Sequence, residues 1–166
     1  MSKAVMLSIR PKWVEKIASG EKTIEVRKTR PKLETPFKCY IYCTRCGVVP
    51  SAQKKQHGKV IGEFTCDAIT RVNICGFWDD SGKQLDNRLK DTCLTSEEFR
   101  NYLGENVGYG WHITDLRIYD APKCLFEFWA ERLCNREPSV FGCGECCDCD
   151  KRPPQSWCYV EEMKNV

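Results

Sequence analysis

The chain has 166 residues, 42% hydrophobic and 30% charged, enough to bury one core without crosslinks, so a single domain is the expectation. No stretch approaches the ~20 apolar residues of a membrane span, the start MSKAVMLSIRPKW lacks the apolar run of an export signal, and thirteen cysteines is an odd number, which together point away from a membrane protein or a secreted disulfide scaffold and towards a cytoplasmic protein with reduced thiols. The net charge of +3 demands no polyanion, yet residues 1–32 carry nine Lys/Arg against three Glu, a local +6 that hints at a face meeting phosphate or another anion.

In chain order, AVMLSI (4–9) reads as a buried strand. PKWVEKIAS follows as a helix with Pro11 in its first turn and Val14, Ile17 and Ala18 on one stripe. Gly20 stops it in the left-handed conformation, and the chain reverses into a second strand, KTIEVRK (22–28). TRPKLETP is a loop. FKCYIYC (37–43) alternates Phe37, Cys39, Ile41 and Cys43 on one face of a third strand, and SAQKKQHG is again a loop. KVIGEFTCDAITRV (59–72) reads as one long bent strand with Gly62 at a bulge or close approach.

TSEEFRNYL has the capping-box spacing, Thr95 to Glu98, with Gly104 as the stop. GYGWHITDLRIYDAP (108–122) is a further strand region ending at Pro122. LFEFWAERL places Leu125, Phe128, Trp129 and Leu133 at helical spacing, a packing helix, and SWCYVE closes the chain as a strand. About five strands with separated helices imply an α+β fold, a small β-barrel or curled mixed sheet with peripheral helices. The domain reading is 1–133 with 153–166, interrupted by a Cys-rich insertion at 134–152.

Strand periodicity puts Thr23, Glu25 and Arg27 on one face of KTIEVRK, opposite Ile24 and Val26, and leaves the direction of Lys22 open. Lys22 offers a compact cation for phosphate, Arg27 a planar fork for phosphate or a base edge, and Glu25 an acceptor for an exocyclic amine. The plainer alternative is a solvated strand on which Glu25 and Arg27 neutralise each other, worth about 0 to 1 kcal/mol.

The helix, Gly20 and the GEKTIEVR strand, followed by GKVIGEF, GYGWHI and PPQSWCYV, resemble the ASCH domain, an RNA-associated family with the PUA-like barrel fold. The likeness spans residues 3 to about 128 plus the closing strand. It implies a cleft, lined by the charged strand, that accepts RNA or a modified nucleotide at Lys22, Glu25 and Arg27, with Arg10, Lys12 and Lys28 attracting phosphate. Some ASCH-type proteins are acetylcytidine amidohydrolases that use a lysine and a threonine of this strand and a glutamate of a later helix. Lys22 matches that lysine and Glu97 or Glu98 the glutamate, but Glu25 stands at the threonine position, and a carboxylate cannot replace a hydroxyl nucleophile without changing the chemistry. Binding is therefore the leading reading. Hydrolysis with Glu25 as general base and Lys22 on the oxyanion is the alternative. Glu98 is explained by the capping box.

Cys134, Cys143, Cys146 and Cys149 lie at spacings suited to a structural zinc, with Cys147 a spare thiol. A loop of reduced thiols is the alternative, and Cys43 with Cys46 is a second CxxC that could join Cys143 and Cys146. A zinc-stabilised protein-interaction module is thus a third functional class; no organic cofactor is implied. Among the aromatics, Trp13, Trp111, Trp157 and Tyr159 are candidates for base stacking, Trp13 foremost because it sits at the edge of its helix's apolar stripe beside Arg10 and Lys12. His112 reads as a satisfied interior histidine.

Overall fold

The computed structural model describes residues 2–45, 56–86, 88–128 and 153–163. Ten strands form two five-stranded sheets. The first has the order β10 (Trp157–Glu161), β1 (Lys3–Ile9), β3 (Phe37–Cys43), β4 (Lys59–Cys66), β9 (Thr114–Lys123); the second has β2 (Ile24–Arg27), β8 (Gly108–His112), β5 (Ile69–Asn73), β6 (Gly76–Trp78), β7 (Gln84–Leu85). The α+β class is as expected, but among the described residues the strands do not close into a barrel. β1 and β3 run parallel; every other pairing is antiparallel.

Alternation along the strands sorts the apolar side chains into three layers. Val5, Leu7 and Ile9 of β1, Cys39, Ile41 and Cys43 of β3, Ile69 of β5 and Trp111 of β8 form the layer shared by both sheets, closed by Val14 and Ile17 of helix α1 (Pro11–Ala18). Ala4, Met6, Tyr40, Tyr42 and Val160 lie on the other side of the first sheet under Phe128. Ile24, Val26, Val72 and Phe77 lie on the far side of the second, under Phe99 and Leu103 of helix α2 (Ser96–Leu103). Pro11 at the first turn of α1, the left-handed Gly20 (φ 77°) and the reciprocal Thr95–Glu98 capping box are all as the sequence implied. Ala18, expected on the buried stripe, is exposed.

Two segments expected as single strands are each divided between the sheets. Residues 59–72 become β4 and β5, separated at Asp67 and Ala68, and residues 108–122 become β8 and β9, separated at Ile113, with Pro122 inside β9. The reason is geometric: both segments wrap the central layer, so Phe64 and Cys66 reach it from one sheet and Ile69 from the other. The closing SWCYVE strand pairs with β1, so the end of the chain completes the sheet that its beginning starts. The expected helix at 125–133 begins as a 3-10 turn, Leu125–Phe128; its remainder and the tract holding Cys134, Cys143, Cys146, Cys147 and Cys149, like Cys46, lie outside the described residues. Among the described residues no helix is long and apolar enough to cross a membrane, and no group of three or more His, Cys, Asp or Glu is placed to hold a metal ion.

Gly62 sits where the pairing registers of β4 shift against both β3 and β9, and a Cβ there would lie 2.5 Å from the Arg117 carbonyl oxygen. Backbone cannot yield as a side-chain tip can. Gly62→Ala is expected to cost about 1–3 kcal/mol, read as a lower urea midpoint with unchanged slope.

Candidate functional site

β2 is the edge strand of its sheet, and its two faces meet different surroundings. Ile24 and Val26 pack towards α2, whereas Glu25 and Arg27, paired in register with Trp111 and Tyr109 of β8, face the central layer. The charged face is thus the inner face. Lys22, Glu25 and Arg27 retain only 2%, 7% and 6% of their exposure, so the strand is not the solvated ion-pair strand considered from its sequence.

The three charges form one cluster. Glu25 Oε2 lies 3.2 Å from Lys22 Nζ, and Oε1 lies 2.9 Å from Arg27 Nη2. Lys22 Nζ donates to the carbonyls of Ile24 (2.9 Å) and Thr92 (2.7 Å), so backbone holds two of its three donors beside the ion pair with Glu25. Arg27 Nη2 also donates to the Ser8 carbonyl at 2.9 Å. Its Nη1 donates to the carbonyl and hydroxyl oxygens of Ser156 at 3.2 and 3.3 Å. Two cations face one carboxylate, so the cluster carries a net +1. Arg27 Nε and Trp111 Nε1 are buried donors without an acceptor among the described residues.

Local structure explains the placement. Gly20 turns the chain so that Lys22 N–H bonds the Lys16 carbonyl, and Thr23 N–H bonds the Asp91 carbonyl of the 3-10 turn Leu89–Thr92. Thr92 is fully buried, with its hydroxyl donating to Leu89 and accepting from Leu94 N–H, and its carbonyl is thereby aimed at Lys22. Ser8 Oγ donates to the Pro154 carbonyl and Ser8 N–H to the Ser156 carbonyl, which holds the 154–156 segment over Arg27.

A layer of exposed cations on aromatic rings surrounds this cluster. The Trp13 ring has Lys12 Nζ at 4.3 Å and the buried Lys22 Nζ at 5.3 Å from its centroid. Lys28 lies 5.2 Å from the Tyr102 ring and Arg30 6.0 Å from the Tyr109 ring. Arg10, the residue before α1, is exposed, as are Lys12 and Lys28. Trp111 is fully buried against Phe37 and Trp157, a core residue instead of a stacking surface.

Of the catalytic candidates, Lys22 and Glu25 are brought together. Glu98 is not part of their cluster: its carboxylate accepts from Thr95 N–H in the capping box and from Lys12 Nζ at 2.9 Å, bonds that hold its pKa below the usual carboxylate value, the Thr95 contact contributing most. The sequence reading missed Arg30, Tyr102 and Tyr109, although Arg30 continues the Lys28 charge run at the right spacing. Nothing local marks Ser8, Thr92 or Ser156, because their part is played by backbone carbonyls.

A protein-family model described as the ASCH domain matches residues 7–107. The chain belongs to the ASCH domain family. Solved structures similar to it include ASCH from Zymomonas mobilis, with a TM-score of 0.63 at 21% identity over 96% of this chain and 88% of that one. A tyrosine-to-phenylalanine variant of that protein matches with a TM-score of 0.63 at 20% identity over 97% and 92%, and a serine-to-alanine variant with 0.62 at 20% over 96% and 89%. No curated protein matches the chain significantly. At these identities the structural likeness establishes the shared ASCH fold.

Two outcomes test this site. Glu25→Gln leaves two cations buried without a counter-charge and is expected to cost about 3–5 kcal/mol in urea denaturation. Lys12→Ala, at an exposed ion pair, should stay within about 0.5 kcal/mol of the parent. His112 accepts or shares a contact with Arg88 Nη1 at 3.1 Å, and burial first, then the Arg88 charge, push its pKa below the ordinary value, against weaker pulls from Asp67 and Asp91. Because the folded pKa is depressed, the neutral form is favoured on folding. Stability is complete above about pH 6.5 and falls as the pH drops through the folded value. Urea midpoints measured from pH 7 to pH 5 should decline, and His112→Asn should flatten that decline.

Proposed function

We propose that this ASCH-family chain binds RNA or a modified nucleotide at the rim of the Lys22–Glu25–Arg27 cluster. The observation that carries the reading is the pairing of exposed cations with aromatic rings, Lys12 on Trp13, Lys28 on Tyr102 and Arg30 on Tyr109, around a buried centre of net positive charge. Phosphates are drawn by the cations and bases stack on the rings, a combination that suits nucleic acid and few other ligands. In this arrangement the buried cluster acts as the frame: it ties β2 to the end of β1, the 3-10 turn Leu89–Thr92 and the 154–156 segment, and the exposed layer makes the contacts.

The hydrolase alternative draws less support. Lys22 is 2% exposed, and turning its ammonium towards a substrate would strain its bonds to the Ile24 and Thr92 carbonyls. An unpaired buried acceptor costs about 1–3 kcal/mol, more for a charge. Glu25 is only 7% exposed, with each of its oxygens facing a cation, which leaves little room for a reacting water.

The test is an anisotropy titration with labelled single-stranded RNA at several salt concentrations. Lys12→Ala and Lys28→Ala should each weaken binding, and each should reduce the slope of log K against log salt by about 0.7 if the residue neutralises one phosphate. Parent-like affinity and slope in the double variant would remove the rim as the binding surface.

A further inference from the structure

Resting on that reading, we propose that the loop Lys28–Thr29–Arg30–Pro31–Lys32 is a platform for several consecutive nucleotides of an unpaired RNA strand, which makes an oligonucleotide, and not a free nucleotide or a duplex, the ligand of this site. Four of its five residues engage an aromatic side chain from another element. Lys28 has its ammonium 5.2 Å from the Tyr102 ring of α2. Thr29 Oγ1 accepts from Trp157 Nε1 of β10 at 2.9 Å. Arg30 lies over Tyr109 of β8, and Lys32 N–H donates to the Tyr159 hydroxyl of β10 at 2.7 Å. Tyr159 also carries Lys3 at 5.7 Å, and its ring meets Trp157 edge-on at 5.4 Å.

The Tyr159 hydroxyl is held by the loop backbone, and Tyr102 and Tyr159 stay 37% and 38% exposed beside the loop. Rings already fixed lose little freedom when a base stacks on them. Lys28, Arg30 and Lys32 are exposed beside them, three cations in five residues. Among the described residues the carboxylate paired to them is Asp80, 3.3 Å from Arg30 and 70% exposed, a partner a phosphate can replace at small cost. A mononucleotide would engage one ring and one cation and leave the others unused. A duplex keeps its base faces stacked on one another and cannot offer them to tyrosine. Stacking on spaced aromatics with cations between them is the pattern of single-strand binding.

The experiment titrates the intact protein with labelled oligouridylates of about two to twelve nucleotides, uridine monophosphate as competitor, and a twelve-pair RNA duplex. Affinity should climb with length before levelling. The monophosphate should compete only at far higher concentration, and the duplex should bind more weakly than the single strand at equal salt. Tyr102→Leu and Tyr159→Leu, which keep apolar bulk and lose the π-face, should each weaken the dodecamer about fivefold or more. Arg30→Gln and Lys32→Gln, at exposed positions that cannot unfold the chain, should weaken it too. Equal molar competition by the monophosphate, equal duplex binding, or parent-like affinity in all four variants would overturn the platform while leaving the rim reading intact. No binding to any of these RNAs would overturn both.

Discussion

A buried ion cluster organises this molecule. Glu25 and Arg27 occupy the face of β2 that alternation would normally give to apolar residues of the central layer, Lys22 joins them from the preceding turn, and each charge there has given up hydration worth several kcal/mol. The loss is offset only with partners in fixed positions. Those partners are carbonyls of Ser8 at the end of β1, Ile24 in β2, Thr92 in the 3-10 turn and Ser156 before β10, segments as far apart as the chain allows. A hydrophobic cluster tolerates sliding; this one does not. If β2 slipped by one residue against β8, Glu25 and Arg27 would turn to the α2 side, among Phe77, Phe99 and Leu103, away from the partners they have now. The cluster therefore selects the register on which the rest of the fold is assembled.

Much of the architecture was legible from local pattern. Pro11, Gly20, Thr95, Glu98 and Gly104 mark helix ends through backbone chemistry that acts within a turn or two, and all five do so in the structure. The inward set Phe37, Cys39, Ile41 and Cys43 followed from period two. What was not legible depended on partners distant in sequence. Residues 59–72 carry a continuous strand pattern because both halves face the same central layer, so nothing in their hydrophobicity announces the change of sheet at Asp67. The candidate site was legible in the same uneven way. Alternation put Glu25 and Arg27 on one face, but only the positions of β1, β8 and the 154–156 segment decide that this face is enclosed. Charged residues are a poor guide to exposure when backbone carbonyls are waiting for them.

The ASCH assignment and this geometry fit together once frame and contact are separated. The signature G-x-K-T-x-E-x-R supplies the turn at Gly20 and the three charges that lock the second strand, which is reason enough for those residue types to occur at that spacing. In the proposed function, recognition falls to side chains just outside it. Lys12, Lys28 and Arg30 flank the signature in sequence, and the rings they rest on arrive from α1, α2 and β8, elements whose relative placement the locked strand helps to set.

Trp13 is where the two layers meet. Its ring has the exposed Lys12 ammonium at 4.3 Å and the buried Lys22 ammonium at 5.3 Å, and Lys12 in turn reaches Glu98 at the start of α2. A base that stacked on Trp13 would compete with Lys12 for the ring, while a phosphate bound to Lys12 would compete with Glu98. Both competitors are exposed and weakly held, so a nucleotide can displace either at small cost. Lys22 differs, because its ammonium is buried and held by two backbone carbonyls and the Glu25 carboxylate. A ligand therefore gains most by exchanging with the outer contacts and leaving the inner ones alone. That ordering of costs is why the cluster reads as the support of a binding surface and not as its reacting centre.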